Sequence, residues 1–78
     1  MKQVLYDIVS GIVNNPENIN IVEKQDGDTI ILNLMVDESD LGKVIGKSGR
    51  IAKAIRTVIK AVAGREGKRV IVDISENA

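Results

Sequence analysis

Residues 44–55 read Val44-Ile45-Gly46-Lys47-Ser48-Gly49-Arg50-Ile51-Ala52-Lys53-Ala54-Ile55, two glycines bracketing two polar residues between apolar-periodic segments. Glycine lacks a Cβ, so backbone at both ends of such a loop can approach a ligand closely. The segment from Arg50 has helical spacing. Its first amide groups lack intrahelical acceptors, and its N-terminus carries partial positive charge. A phosphate is satisfied there by groups the chain already supplies. The pattern points to phosphate-backbone binding without catalysis, on single-stranded nucleic acid.

The charge distribution agrees with that reading although the net charge is zero. Residues 1–42 carry two basic and eight acidic side chains, whereas residues 43–69 carry nine basic and one acidic. Such asymmetry creates a local field even when the sum vanishes. The competing reading is a solvated basic helix face, but the basic run centres on the glycine loop. The 78 residues contain no Cys and no His. Disulfides, thiolate chemistry, the usual zinc sites and the commonest general base are therefore absent, and a cytoplasmic, reducing setting is expected. A chain of this size makes one small domain, too small for a two-lobed catalytic cleft. No signal-peptide core follows Met1-Lys2, and no stretch approaches the length of a membrane span. No enzyme activity, cofactor, metal, membrane or small-molecule substrate is expected.

Outward from the loop, Val4, Leu5, Ile8, Val9, Ile12 and Val13 form a helical stripe over residues 1–13, and Asn14-Asn15-Pro16 ends it. A β-hairpin is expected over 19–36, turning at Asp26-Gly27-Asp28. In its second strand Ile30, Leu32, Leu34 and Val36 alternate with Thr29, Ile31, Asn33 and Met35. Ile31 and Met35 suit a groove wall or a second packed layer. Asp37, Glu38, Ser39 and Asp40 read as a cap and acidic first turn of a short helix over 39–45, in preference to an acid–base pair. That helix carries Leu41, Val44 and Ile45 inward. A longer helix follows over 50–63, with Ile51, Ile55, Val58, Ile59 and Val62 inward and Gly64 as its cap. Arg56 and Lys60 read as a solvated face. A last strand covers 68–75, and Glu76-Asn77-Ala78 reads as frayed. The fold class is α+β, in the order α-β-β-α-α-β, with helices on one face of a three-stranded sheet.

Rivals to the glycine loop fail on context. Gly64-Arg65-Glu66-Gly67 repeats the spacing but follows a helix and precedes a strand, so it reads as cap and turn. A Walker loop needs its first Gly at position 41, which is Leu41. The two aspartates at 26 and 28 lack a calcium loop. A helix-hairpin-helix on duplex DNA does not need the flanking strands. One Tyr with no Phe or Trp excludes base-stacking platforms as the main mechanism.

Residues 44–55 resemble the KH-domain signature V-I-G-x-x-G-x-x-I-x-x-I, and the element order resembles the prokaryotic, type II arrangement. Ala52 departs, since the family usually has a larger aliphatic residue there; the departure implies a smaller apolar groove. The stretches at 40–50 and 66–70 are similar to those of small stand-alone bacterial KH proteins. The resemblance implies an RNA chaperone or post-transcriptional regulator linked to cell-wall and cell-length control. It also implies a homodimer, or a heterodimer with a second KH protein. Lys43, Ile45, Gly46, Lys47, Ser48, Gly49, Arg50 and Lys53 are the expected RNA-binding residues. A protein–protein module, or a single-stranded or duplex DNA binder, is the alternative.

Overall fold

Alternating apolar residues at Ile30, Leu32, Leu34 and Val36 bury one face of the strand they form. That strand is the centre of a three-stranded mixed sheet in the computed structural model, which describes residues 1–77. The elements run α1 (Lys2–Ser10), β1 (Asn20–Asp26), β2 (Thr29–Val36), α2 (Leu41–Ile45), α3 (Arg50–Arg65) and β3 (Arg69–Glu76). Short 3-10 turns occupy Pro16–Asn18, Glu38–Asp40 and Lys47–Gly49. β1 pairs antiparallel with β2 across a turn in which Gly27 takes φ 64°. β3 pairs parallel with β2, placing Ile30 opposite Val70 and Leu34 opposite Ile74. A parallel pair requires a crossover, and α2 with α3 supplies it. β1 and β3 are thereby the edge strands.

The core joins Leu5 and Val9 of α1, the inward face of β2, Val44, Ile55, Ile59, Ala63, Val70 and Val72. All of it lies on one side of the sheet. On the other side Val22 and Ile71 are exposed and Ile31 and Met35 are half-buried, so no second layer covers that face among the described residues. No helix among the described residues is long and apolar enough to cross a membrane.

Several local expectations are corrected. α1 stops at Ser10, because Gly11 weakens the helix where the stripe continues. Val13 still reaches the core through its N–H bond to Val9 O at 3.1 Å. α3 runs through Gly64 to Arg65 and closes on Gly67, whose φ is 68°. Gly67 N–H bonds Gly64 O at 3.1 Å and Lys68 N–H bonds Ala63 O at 3.0 Å, the paired pattern of a Schellman cap. Ile51 and Val58, expected inward, are exposed; Ala52, Ile55, Ile59 and Ala63 face the core instead. Asn77 is tied down: its N–H bonds Val36 O at 2.9 Å and its side-chain amide bonds Asn18 O at 2.7 Å. Ala78 lies outside the described residues.

Candidate nucleic-acid interface

The loop between α2 and α3 is built on conformations that side chains resist. α2 closes with Gly46 N–H bonded to Gly42 O at 2.8 Å. Gly46 then takes φ 75°, ψ 176°, a region essentially confined to glycine. A Cβ at Gly46 would stand 2.3 Å from Ile51 Cγ1 and 2.8 Å from Ile51 Cβ, so the loop's first glycine lies directly against the start of α3. Ser48 (φ 58°, ψ 26°) and Gly49 (φ 73°, ψ 14°) follow in left-handed conformation. Gly49 N–H bonds Gly46 O at 3.2 Å and Arg50 N–H bonds Lys47 O. α3 begins with no side-chain cap, so no side chain competes for its first amides. Lys47 and Ser48 are exposed at the tip.

The two glycines differ in what they contribute. A Cβ at Gly49 meets nothing within 4 Å. Gly49→Ala is therefore expected to cost only the left-handed conformation, about 1 kcal/mol, with the fold retained. Urea denaturation of the variant checks this.

Charge around the loop is largely uncompensated. Lys43 Nζ lies 3.6 Å from Asp40 Oδ1, the one ion pair among the described residues. Lys47, Arg50, Lys53, Arg56, Lys60, Lys68 and Arg69 thus have no carboxylate partner within ion-pair distance there. Asp40 is the only buried charged residue among the described ones, at 1% exposure. It accepts from Asn14 N–H at 3.1 Å, Asn15 N–H at 2.9 Å and the Asn15 side-chain amide at 3.0 Å. Burial pushes its carboxyl up, but these hydrogen bonds and the Lys43 ammonium outweigh burial and hold it below the usual carboxylate value. The capping role expected of the acidic cluster falls to Asp37, which accepts from Ser39 N–H at 3.0 Å. The Ser39 hydroxyl and N–H bonds hold Asp37 low as well. Asp40 makes no cap bond to α2.

Six of the eight expected site residues, Gly46, Lys47, Ser48, Gly49, Arg50 and Lys53, form the loop and the first turn of α3. Lys43 flanks them from α2, its charge shared with Asp40. Ile45, expected to point inward, is 37% exposed beside the loop, whereas Val44 is wholly buried. Ala52 belongs to the core at 4% exposure, so its small size sets helix–sheet packing and not the width of a surface groove. The expected groove wall on β2 is also corrected. β2 is central, and the strand beside α3 is β3.

Arg56 bridges that pair: its Nε–H donates to Val72 O at 3.0 Å. It is half-buried, not a solvated residue as its helix position suggested. A cavity of about 240 Å³ follows the β3 edge, lined by Arg56, Lys60, Val70, Ile71, Val72 and Asp73. A second, of about 480 Å³, is lined by Thr29, Lys60, Lys68, Arg69, Val70 and Ile71. Sequence reasoning missed Arg56, Lys60, Lys68 and Arg69 as possible site residues. The only signal was the repeat of Arg50, Lys53, Arg56 and Lys60 at helical spacing. A further cavity, about 620 Å³, lies between α1 and β1 around Tyr6 and Ile19, at the other sheet edge from β3.

Comparison with known proteins agrees with this architecture. The family model for the KhpA/KhpB KH domain matches residues 2–74. The chain is 54% identical to the RNA-binding protein KhpA of Clostridium acetobutylicum, over 95% of this chain and 99% of that one. It is 45% identical to the RNA-binding protein KhpA of Chlamydia trachomatis, over 97% of each chain. Among solved structures it is similar to Era in complex with MgGDPNP and nucleotides 1506–1542 of 16S ribosomal RNA, with a TM-score of 0.57 and 16% identity. That match covers 95% of this chain and 28% of the Era chain, and at such identity it speaks for the fold alone. With a mixed sheet in the type II KH order, a family model spanning nearly all of it and full-length relatives at about half identity, the chain belongs to the KhpA/KhpB KH-domain family.

Proposed function

We propose that this chain is a single-stranded RNA-binding protein of the cytoplasm, a chaperone or post-transcriptional regulator without catalytic activity. The observation that carries the reading is the exposed Lys47-Ser48 tip at the uncapped N-terminus of α3, ringed by cations that lack carboxylate partners. Free amides and the helix dipole hold the sugar-phosphate chain of about four nucleotides. Lys47, Arg50 and Lys53 neutralise neighbouring phosphates and Lys43 flanks them. Ile45, exposed beside the loop, offers apolar surface to a base. The family's relatives are named RNA-binding proteins, which supports the same ligand class here.

One such domain without stacking aromatics binds weakly, near the 10⁻⁴ to about 10⁻⁶ M range of non-specific association. A homodimer, or a heterodimer with a KhpB-like KH protein, raises the avidity. A role in cell-wall and cell-length control follows from the resemblance.

The test replaces Lys47 and Ser48 together with Asp. Asp tolerates left-handed backbone, so the Ser48 conformation survives and the fold is expected to be intact by circular dichroism. RNA affinity is expected to fall at least about tenfold, and affinity for wild-type protein to fall steeply with salt, with a log–log slope near −0.7 per phosphate contacted. Unchanged affinity, or a flat salt response, would favour a protein-interaction module.

A further inference from the structure

The two cavities along the α3–β3 edge differ in charge. The smaller includes the Asp73 carboxylate beside Arg56 and Lys60. The larger, toward the C-terminal end of α3 and the start of β3, is lined by Lys60, Lys68 and Arg69 with no acidic residue. None of the three has an ion-pair partner among the described residues. Like charges lining one pocket without an ion-pair partner repel one another, and an anion bound there relieves that repulsion. The remaining lining is Thr29 with the apolar Val70 and half-exposed Ile71. A polyanion that also carries flat apolar faces fits this combination.

We propose that this pocket is a second subsite for the same RNA, taking phosphates of a strand that continues past the nucleotides held at the glycine loop. The inference rests on the RNA-binding reading above. Continuity favours RNA over an acidic peptide. Arg50, Lys53, Arg56 and Lys60 lie on successive turns of α3 and lead from the loop to the pocket. At 1.5 Å per residue, Lys60 stands about 16 Å along the helix from Gly49. A short oligonucleotide gripped at the loop leaves the pocket empty, and a longer one fills it.

Chemical-shift titrations with unstructured oligouridylates of 4, 8 and 12 nucleotides test this, using wild type and K60Q/K68Q/R69Q. For wild type, affinity is expected to rise about tenfold from the 4-mer to the 12-mer. The salt slope steepens by about 2, three further phosphates at ~0.7 each. Amides of residues 68–71 move only with the longer strands. The variant is expected to bind the 4-mer within about twofold of wild type and to show neither the steeper slope nor most of the gain. Should Lys68, which is half-buried, prove necessary for folding, K60Q/R69Q at two exposed positions repeats the measurement with about two-thirds of the slope change. A full length gain in the variant overturns the proposal. So does a wild type with no gain, or one whose pocket amides respond to polyglutamate and not to long RNA. In those cases 4-mer binding that is still lost on replacing Lys47 and Ser48 leaves the loop reading standing. If no RNA of any length binds, both fall.

Discussion

Gly46→Ala is expected to destabilise the domain by about 3 kcal/mol or more and to abolish detectable RNA binding. Two costs act together. The φ 75°, ψ 176° conformation is worth about 1–3 kcal/mol of strain to any residue with a Cβ. The added methyl also lands 2.3 Å from Ile51 Cγ1, 2.8 Å from Ile51 Cβ and 3.0 Å from Ile51 N. The last two atoms are no swinging end. They are the root of a residue in the first turn of α3, so relief requires moving the helix start, at a further ~1–3 kcal/mol typical of overpacking. A small domain sits at the low end of the usual 5–15 kcal/mol or so of stability, which makes this loss a large fraction of the whole.

The contrast with Gly49→Ala reads the two costs together: both positions have positive φ, but Gly46 lies in the glycine-only region and faces a neighbour, whereas Gly49 is left-handed and faces none. Urea midpoints of the two variants give the comparison. Equal losses would refute the steric argument. Trimming Ile51 to Ala beneath Gly46→Ala is expected to recover only part of the loss, since the contacts with Ile51 Cβ and N persist.

What could be read from the chain follows from how local each determinant is. β2 announces itself because a period of two over eight residues reports burial directly: Ile30, Leu32, Leu34 and Val36 are all buried. The glycine loop is equally local, since its charges, spacing and following helix lie within a dozen residues. The inward face of α3 is harder. Its buried positions are Ala52, Ile55, Ile59 and Ala63, and two alanines carry little apolar signal, while the larger Ile51 and Val58 draw the predicted face away from them. Small residues face inward where helix and sheet approach closely, which is a property of the partner as much as of the helix. Ile45 is misread for the same reason: in a five-residue helix one position decides between core and surface. The Arg56 bridge to Val72 O spans 16 residues of sequence, and the bonds from Asn14 and Asn15 to Asp40 span 26 and 25. No local pattern encodes such pairings: the first exists only once β3 has crossed over to lie beside β2, and the others only once the connection after α1 lies against the start of α2.

Asp40 is the clearest of these long-range determinants, and Asp40→Asn is expected to lower the melting temperature by on the order of 10 °C at neutral pH. The carboxylate answers three donors, Asn14 N–H, Asn15 N–H and the Asn15 amide, and sits beside the Lys43 ammonium. An asparagine offers one acceptor oxygen and turns its NH₂ toward donors, so at least one part-buried N–H loses its partner. The connection after α1 is thereby released from the start of α2, the helix that leads into the glycine loop. The pH dependence has a definite sign. Because the folded carboxyl titrates below its ordinary 3.8, its contribution is complete above that value and disappears as pH falls through the lowered one. The melting-temperature gap between wild type and Asp40→Asn is therefore expected to be full at pH 7 and to narrow only under strongly acidic conditions. Asp37 is also held low, but chiefly through Ser39 within its own turn, with the Asn18 side-chain amide as a further donor at 3.0 Å. Asp37→Asn should thus cost less and leave the link between Asn14-Asn15 and α2 intact. Scans at a series of pH values on the three proteins decide it: an Asp40→Asn gap that is absent at pH 7, or that does not close in acid, would show that the buried carboxylate is not what ties α1 to the loop helix.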